Sequence, residues 1–163
     1  MDAFWLGVRL LLLLTAANGA PILLKRMLGD GWSTPIDFGR RFPDGRPWLG
    51  PSKTWRGLAA AVAACTVVAP ALGFPPHVGA LCGLLAMTGD ALSSFIKRRL
   101  GIVPSGQSFG IDQIPESLLP LLALQHLLGV PWLVIAGVVL AFLLLETPVA
   151  WAFHRLGLRD RPY

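Results

Sequence analysis

Charged residues are scarce in this chain of 163 residues. Asp, Glu, Lys and Arg together make up only 14% of it, whereas 54% of its residues are hydrophobic and the mean hydropathy is +0.62. A chain of this length with so little charge is too apolar to be a soluble domain. The composition therefore predicts an integral membrane protein.

Cysteine is also scarce, because the chain contains only Cys65 and Cys82. They fall in different predicted helices and lack the spacing of a metal site. We interpret both as small apolar residues that pack inside the protein.

Acidic residues are outnumbered by basic ones. Nine Asp and Glu stand against fourteen Lys and Arg, which gives a net charge of +5 and a pI near 10.0. A basic balance is common in nucleic-acid-binding proteins, but this chain contains no recognised nucleic-acid module. We therefore expect no nucleic-acid partner and attribute the excess charge to membrane topology.

Five apolar stretches are separated by polar segments and run over residues 3–24, 57–73, 78–96, 114–129 and 131–153. A spanning helix needs roughly 17–25 mostly apolar residues. Prolines and polar residues interrupt the fourth stretch, and neighbouring helices must satisfy these groups if it spans. The expected fold is all-α: one membrane-embedded domain over residues 1–163, with five transmembrane helices.

Basic residues concentrate at one end of this predicted bundle. Every Lys and Arg except Arg9 lies between helices one and two, between helices three and four, or after helix five, and the connections 72–77 and 128–131 carry none. By the positive-inside rule, the N-terminus is outside and the C-terminus is cytoplasmic. The expected cytoplasmic loops cover about 25–56 and 97–113, and the expected location is the inner (cytoplasmic) membrane.

The third stretch carries a carboxylate, Asp90, among apolar residues. An ionised residue within a membrane span is costly and by default indicates a functional site. Helical spacing places Asp90, either Ser93 or Ser94, and Lys97 on one stripe of the helix. A carboxylate, a hydroxyl and an ammonium can together bind a metal and a phosphate. The alternative is an ion pair between Asp90 and Lys97 without a ligand.

A second carboxylate, Asp112, comes where the chain re-enters the membrane after a loop with glycines and a proline. Two carboxylates from adjacent helix ends can hold one Mg²⁺ or a metal pair, with nucleotide phosphates as further ligands. Asp112 can equally be the N-cap of the fourth helix. Its position leaves both roles open.

The loop before the second helix ends in Gly50-Pro-Ser-Lys-Thr-Trp-Arg-Gly57. Ser52 or Thr54 can cap this helix while free backbone amides face an anion. Lys53 and Arg56 add positive charge at the same place. The segment lacks the spacing of a P-loop, so it does not by itself identify the ligand.

Together, these three segments resemble one known family. Gly-Pro-Ser-Lys-Thr-Trp-Arg-Gly at 50–57, Gly-Asp-x-x-x-Ser-Phe-x-Lys-Arg-Arg at 89–99 and Asp-Gln at 112–113 are similar to the CDP-archaeol synthase family, which is related to phosphatidate cytidylyltransferases. The similarity extends from helix one to the segment 157–163. It implies a cytoplasmic pocket in which CTP gives a cytidylyl group to a phosphorylated lipid with the help of Mg²⁺.

The resemblance also implies roles for individual residues. It makes Asp90 and Asp112 metal ligands and, with Lys97, the catalytic residues. The residues that it places against substrate are Lys53, Arg56, Ser93, Ser94, Arg98 and Asn18. Asn18 can instead form a hydrogen bond between helices.

Two departures from the family pattern leave the lipid open. Pro115 and Glu116 stand where the family has a second Asp after Asp-Gln, and Glu146 and Ala150 stand where its last helix tends to carry His and Asn. The substrate can be an archaeal ether lipid phosphate, a diacyl phosphatidate or another isoprenoid phosphate. The oligomeric state is open as well, and a homo-oligomer is one expectation.

A small transporter or channel that uses Asp90 and Glu146 as ion sites is the alternative function. It predicts a polar path that reaches the outer face. The polar groups of this sequence instead cluster towards one face, and its outer connections are almost uncharged. The sequence therefore favours the enzyme.

Overall fold

Five α-helices form the protein in the computed structural model, which describes residues 2–103, 108 and 110–155 without the side chains of 146, 147, 149, 150 and 152–154. The helices are α1 (Ala3–Leu28), α2 (Trp55–Ala71), α3 (Pro76–Arg99), α4 (Gln113–Leu128) and α5 (Trp132–Arg155). The only β-structure within the described ranges is two isolated bridges. The all-α prediction is confirmed. Two of the helices, α1 and α3, are long and apolar enough to cross a membrane.

Helix α3 differs most from its predicted bounds. It begins at Pro76, two residues early, because proline is favoured at the first turn of a helix. It continues through Arg99, so Lys97, Arg98 and Arg99 form its last turn instead of the following loop. Cations at a helix C-terminus interact favourably with the helix dipole. The prediction that the loop begins at residue 97 is therefore wrong.

Helix α2 begins two residues earlier than expected because Thr54 caps it. The Thr54 hydroxyl oxygen accepts the backbone N–H of Gly57 at 3.1 Å. Of the two N-cap candidates, the structure selects Thr54, and Ser52 lies exposed in the preceding turn. The cap fixes the point at which the long α1–α2 connection enters the bundle.

The apolar core lies between all five helices. Leu10, Leu13 and Leu14 of α1 are fully buried in it. Cys65 and Cys82 are free and buried in the same cluster, which confirms their predicted packing role. The helix pairs α2–α3 and α4–α5 follow one another through short turns at 72–75 and 129–131 and form two helical hairpins.

Three glycines let the backbone of α3 touch its neighbours. A Cβ added to Gly79 or Gly83 would collide with the backbone of α2, and one added to Gly89 would collide with Pro115 and Glu116 of α4. Gly79 and Gly83 are four residues apart, the small-residue spacing that permits close packing of membrane helices. Close contact at Gly89 places the neighbouring Asp90 directly beside the start of α4.

Polar residues in the first turns of α4 face the interior, whereas His126 near its end is exposed. Gln113, Glu116 and Ser117 are buried, and the Ser117 hydroxyl donates to the Gln113 carbonyl at 2.7 Å. The helix therefore contributes a polar face at the end where it packs on α3.

The substitution Gly83→Ala tests the close α2–α3 contact. The new Cβ would lie 2.7 Å from the Ala61 carbonyl oxygen and 2.9 Å from Val62 Cα, both of which are backbone atoms. We expect a loss of roughly 1–3 kcal/mol of folding free energy, the usual cost of overpacking, seen as a lower melting temperature in detergent. Gly137→Ala is the control, because nothing lies within 4 Å of a Cβ at that helical position. Equal melting temperatures for the two variants would contradict the proposed contact.

Candidate active site

Two lysine–carboxylate ion pairs lie at the C-terminal half of α3, where Arg99 also pairs with Asp44 at 3.4 Å. The Lys53 ammonium is 2.6 Å from both carboxylate oxygens of Asp90. The Lys97 ammonium is 2.6 Å from Oδ1 of Asp112. The four side chains are between 10% and 23% exposed, so each charge is largely withdrawn from water yet can be reached. Carboxylates and ammonium groups thus alternate in one partly buried cluster.

The observed ion pairs differ from both arrangements expected for α3, which were a joint metal and phosphate site on one stripe and an ion pair between Asp90 and Lys97. Seven residues of helix separate Asp90 and Lys97 by roughly 10 Å of rise, and each pairs with a residue from another segment. Lys53 comes from the α1–α2 connection and Asp112 from the start of α4. The stripe on α3 therefore supplies one group to each ion pair, and an Asp90–Lys97 pair is not what the structure shows.

Lys53 is fixed by its own backbone. Its carbonyl accepts the Ile36 N–H at 2.8 Å, and Pro35 forms an antiparallel bridge with the next residue, Thr54. Burial lowers the pKa of Lys53, but the attraction of Asp90 and their hydrogen bond, with the more distant charges of Glu116 and Asp112, outweigh burial and raise it. Lys53 is therefore a cation at neutral pH.

Asp37 closes the loop that precedes Lys53. One of its carboxylate oxygens accepts the N–H groups of Leu49 and Gly50 at 2.9 and 3.0 Å, and the other accepts the Gly39 N–H at 3.0 Å. Burial would raise the pKa of Asp37, but these backbone hydrogen bonds lower it. Asp37 was given no role from the sequence. An Asp that begins a Gly-containing turn nevertheless often accepts hydrogen bonds from nearby backbone N–H groups.

An aromatic cluster fixes the same loop to α3. The rings of Phe42 and Trp48 lie 5.7 and 5.8 Å from the ring of Phe95. The Arg99 guanidinium is 4.4 Å from the centre of the Phe42 ring, within the range of cation–π attraction. Arg99 was expected only as a juxtamembrane charge, and its position is set by this packing.

Arg46 joins the loop to the last carbonyls of α3. Its guanidinium donates to the carbonyls of Arg98 and Arg99 at 3.2 and 2.6 Å. These carbonyls lie at the end of α3, where the regular pairing of the helix stops, and that of Arg98 also accepts the Gly101 N–H at 3.2 Å. Arg46 therefore caps α3 from the loop.

Arg98 and Asn18, two of the predicted substrate contacts, carry buried polar atoms without partners. Arg98 is 3% exposed and donates one N–H to the Val103 carbonyl, while its Nε and Nη1 have no hydrogen-bond partner in the described residues. Nδ2 of Asn18 is also buried without a hydrogen-bond partner in the described residues. The structure therefore does not show the hydrogen bond between helices that was the alternative role of Asn18. Unpaired buried donors are costly, and both remain candidates for ligand contact.

Other predicted contacts are used within the protein. The Ser93 hydroxyl donates to the Asp90 carbonyl at 2.9 Å, and Ser94 is 3% exposed. Arg56 donates to the carbonyls of Gly29 and Gly31. Arg56 thus holds the turn after α1 in addition to whatever it contributes to a ligand.

Asp112 occupies the N-cap position of α4, but its side chain makes no capping hydrogen bond. One carboxylate oxygen instead accepts the Ser108 N–H at 3.1 Å. Its neighbour Gln113, quoted in the Asp-Gln motif but given no role, is 1% exposed. The Gln113 side-chain oxygen Oε1 accepts the Gly110 N–H at 2.6 Å, and Nε2 has no partner in the described part of the chain. A capping role for the Asp112 side chain is therefore wrong.

The donor set restricts the metal that this cluster can bind. The described residues contain no group of three or more His, Cys, Asp or Glu side chains that could hold a metal ion. Asp90 and Asp112 supply hard carboxylate oxygens from opposite ion pairs. Mg²⁺ often binds through one or two carboxylates, with substrate phosphates and water completing its shell. The residues fit a Mg²⁺ that is bound together with a phosphate ligand.

Comparison with known proteins identifies the family. The CarS-like CDP-archaeol synthase family matches this chain over residues 7–74 and 76–163. The chain belongs to that family. The match includes all three segments that form the ion-pair cluster, and it confirms the resemblance found in the sequence.

Individual members of the family are similar over most of their length. The CDP-archaeol synthase of Hyperthermus butylicus is 42% identical over 147 residues, which cover 86% of this chain and 80% of that protein. The enzyme of Pyrococcus furiosus is 37% identical and covers 69% of this chain and 68% of its own. A solved intramembrane enzyme for the biosynthesis of archaeal membrane lipids has a TM-score of 0.67 and 33% identity, covering 87% of this chain and 90% of its own.

The substitution Asp37→Ala tests the hydrogen bonds that close the loop. The pKa of Asp37 is lower in the folded protein than in the unfolded chain. The ionised carboxylate therefore stabilises the fold fully at pH values above its ordinary pKa of about 3.9, and this stabilisation is lost as the pH falls through the folded pKa. We expect a lower melting temperature than the wild type at pH 7 and a difference that shrinks in acid. Amide exchange over residues 37–50, followed by mass spectrometry, should also be faster at neutral pH.

Asp30→Ala is the matched control, since Asp30 is an exposed carboxylate in the same connection. It should leave both measurements near the wild-type values. Asp37→Ala would contradict the assignment if its melting temperature and amide exchange matched those of this control.

Proposed function

We propose that this chain transfers a cytidylyl group from CTP to the phosphate of a membrane lipid, which yields a CDP-lipid and pyrophosphate. Membership of the CDP-archaeol synthase family supports this reaction. The observation that carries it is the cluster of two lysine–carboxylate pairs, built from the three segments that resemble that family. An archaeal ether lipid phosphate is the proposed substrate, because the relatives are named for CDP-archaeol.

The reaction requires positioning and charge neutralisation. An oxygen of the lipid phosphate attacks the α-phosphorus of CTP, a new P–O bond forms, and the bond to pyrophosphate breaks. The attacking oxygen is already ionised at neutral pH, so the enzyme needs no strong general base. The protein must bring two anions together, and cations fixed near the phosphates lower the barrier.

The lysines of the cluster are suited to this task. Lys53 and Lys97 are held against carboxylates, and in the complex with substrates we assign their ammonium groups to the phosphates. Arg98 offers two buried guanidinium nitrogens, Nε and Nη1, that lack hydrogen-bond partners in the described residues. Asp90 and Asp112 would hold Mg²⁺, which supplies further positive charge to the triphosphate.

We also propose the membrane topology. Five helices cross the inner membrane, with the N-terminus outside and the C-terminus and the site in the cytoplasm. The basic connections support this orientation. Exposed aromatic residues near both ends of the helices support the crossing itself, since Trp is enriched at both membrane interfaces: Phe4, Trp5 and Trp132 at one end, Trp55 and Trp151 at the other.

No finding supports the transporter alternative. Asp90 is neutralised by Lys53, and the side chain of Glu146 lies outside the described part of the structure. A homo-oligomer remains a prediction.

Purified protein in lipid nanodiscs, labelled CTP and Mg²⁺ provide the test of this function. We expect labelled CDP-lipid with an archaeal ether lipid phosphate, and diacyl phosphatidate measures the selectivity. Asp90→Asn and Asp112→Asn should each abolish turnover, because either change removes a carboxylate from the metal site. Lys97→Ala should lower the rate at saturating CTP on the order of 10²-fold, as expected for loss of one electrostatic stabiliser.

Arg155→Ala is the control for Lys97→Ala. Arg155 is also a basic residue at a helix end, but its guanidinium stacks 3.7 Å from the centre of the Trp151 ring, so its loss should cost little activity. All variants are compared after a thermal melt shows that they are folded. Absence of any CDP-lipid product from wild-type protein would refute the function, and equal, modest losses for Lys97→Ala and Arg155→Ala would remove Lys97 from the site.

Cysteine labelling in sealed vesicles tests the topology. Ser52→Cys places a thiol at an exposed position of the α1–α2 connection, and His77→Cys places one at an exposed position in the first turn of α3. An impermeant reagent should reach position 77 from outside and position 52 only from the cytoplasmic side. The reverse pattern would overturn the orientation and the cytoplasmic placement of the site together.

A further inference from the structure

Two aromatic side chains of the α1–α2 connection are strongly exposed. Trp32 is 86% exposed and Phe38 is 65% exposed, and Met27, just before them in the last turn of α1, is 80% exposed. Met27 lies at the end of a helix that is long and apolar enough to cross a membrane, and the two aromatics follow that helix within ten residues. Exposed large apolar side chains next to such a helix are candidates for contact with the membrane.

The backbone at these aromatics is strained. Trp32 has φ +56° and Phe38 has φ +52°, and they are the non-glycine residues with positive φ within the described ranges. Bulky L-residues rarely adopt this conformation. Neither side chain gains burial within the chain in return, so apolar packing inside the protein does not offset the strain.

Hydrogen bonds hold both residues in this conformation. The Arg56 guanidinium donates to the carbonyls of Gly29 and Gly31, which flank the turn that leads to Trp32. The Phe38 N–H donates to the Pro35 carbonyl at 3.1 Å, and Asp37 bonds the amide that follows Phe38. The exposed rings are therefore presented from fixed turns.

Two other aromatics of the same connection contact α3, although Trp48 is still 42% exposed. Phe42 and Trp48 lie 5.1 Å apart between ring centres and contact Phe95 of α3. The connection thus has an aromatic cluster of its own against α3. Trp32 and Phe38 remain exposed outside it.

The charge around the exposed rings indicates the partner. Exposed basic residues flank them on both sides: Lys25, Arg26, Arg40 and Arg41. Of the two carboxylates in that stretch, Asp37 is engaged by backbone amides, and Asp30 is exposed. Trp beside Lys and Arg next to a membrane helix is typical of the headgroup layer, and anionic lipids attract such basic segments.

We propose that Trp32 and Phe38 insert into the headgroup layer of the membrane that holds the protein, while the flanking basic residues face anionic lipid headgroups. This surface requires the membrane setting but not the proposed cytidylyl transfer. If that transfer is correct, the anchor keeps the loop that carries Lys53 at the level where lipid phosphates lie.

Fluorescence quenching in nanodiscs tests the anchor with the full chain. Trp32→Cys and Phe38→Cys are each labelled with a small thiol-reactive fluorophore, and unsubstituted protein gives the background from the buried Cys65 and Cys82. Lipids that carry a spin label near the headgroup should quench both labels several-fold more than they quench a label at Pro43→Cys, an exposed position of the same connection. Iodide in the aqueous phase should show the opposite order.

The composition of the nanodisc tests the role of the basic residues. Replacing anionic lipids by zwitterionic ones should weaken the quenching of positions 32 and 38 by spin-labelled lipid. Equal quenching at all three positions would overturn the anchor, and quenching that is independent of lipid charge would overturn the role of the basic residues. Neither result affects the assay for CDP-lipid, so failure of the anchor and failure of the proposed function are distinguishable.

Discussion

The ion pair between Lys53 and Asp90 is the contact on which the arrangement of the site depends. It joins the α1–α2 connection to α3, the helix that lies against α2 and α4. In this pair each residue neutralises the charge of the other. A buried charge without a partner is strongly destabilising. Asp90 can therefore lie within a largely apolar helix only because the connection delivers Lys53 to it.

The remaining contacts of the connection serve that delivery. Asp37 closes the loop, Arg46 caps α3, and the aromatic cluster around Phe95 sets the loop against the last turns of the helix. On the other side, the lack of a side chain at Gly89 lets α4 approach and brings Asp112 within reach of Lys97. The loop and both helices thus meet at the same four charged groups.

Much of the fold was predictable from sequence because apolar length and polar interruptions locate membrane helices directly. All five helices were found, with most ends within two residues, and the main exceptions, the C-terminal ends of α1 and α3, have basic last turns. The four charged residues that form the two ion pairs were also named as candidates, since a carboxylate in an apolar helix is a strong local signal. Their pairing was not predicted, because helical spacing relates Asp90 to Lys97 but says nothing about a lysine 37 residues earlier. Asp37 was missed for the same reason, as its partners Leu49 and Gly50 are distant in sequence.

The way in which α3 is packed divides the protein into two parts with different weaknesses. Towards its N-terminus, the helix touches α2 through glycines and apolar side chains, contacts that are indifferent to ions in solution. Towards its C-terminus, it is held by ion pairs, hydrogen bonds and a guanidinium stacked on an aromatic ring, contacts that strong acid or base weakens. A change of pH can therefore disturb the reactive end while the apolar contacts stay in place, so a helical spectrum alone is no proof of an intact catalyst.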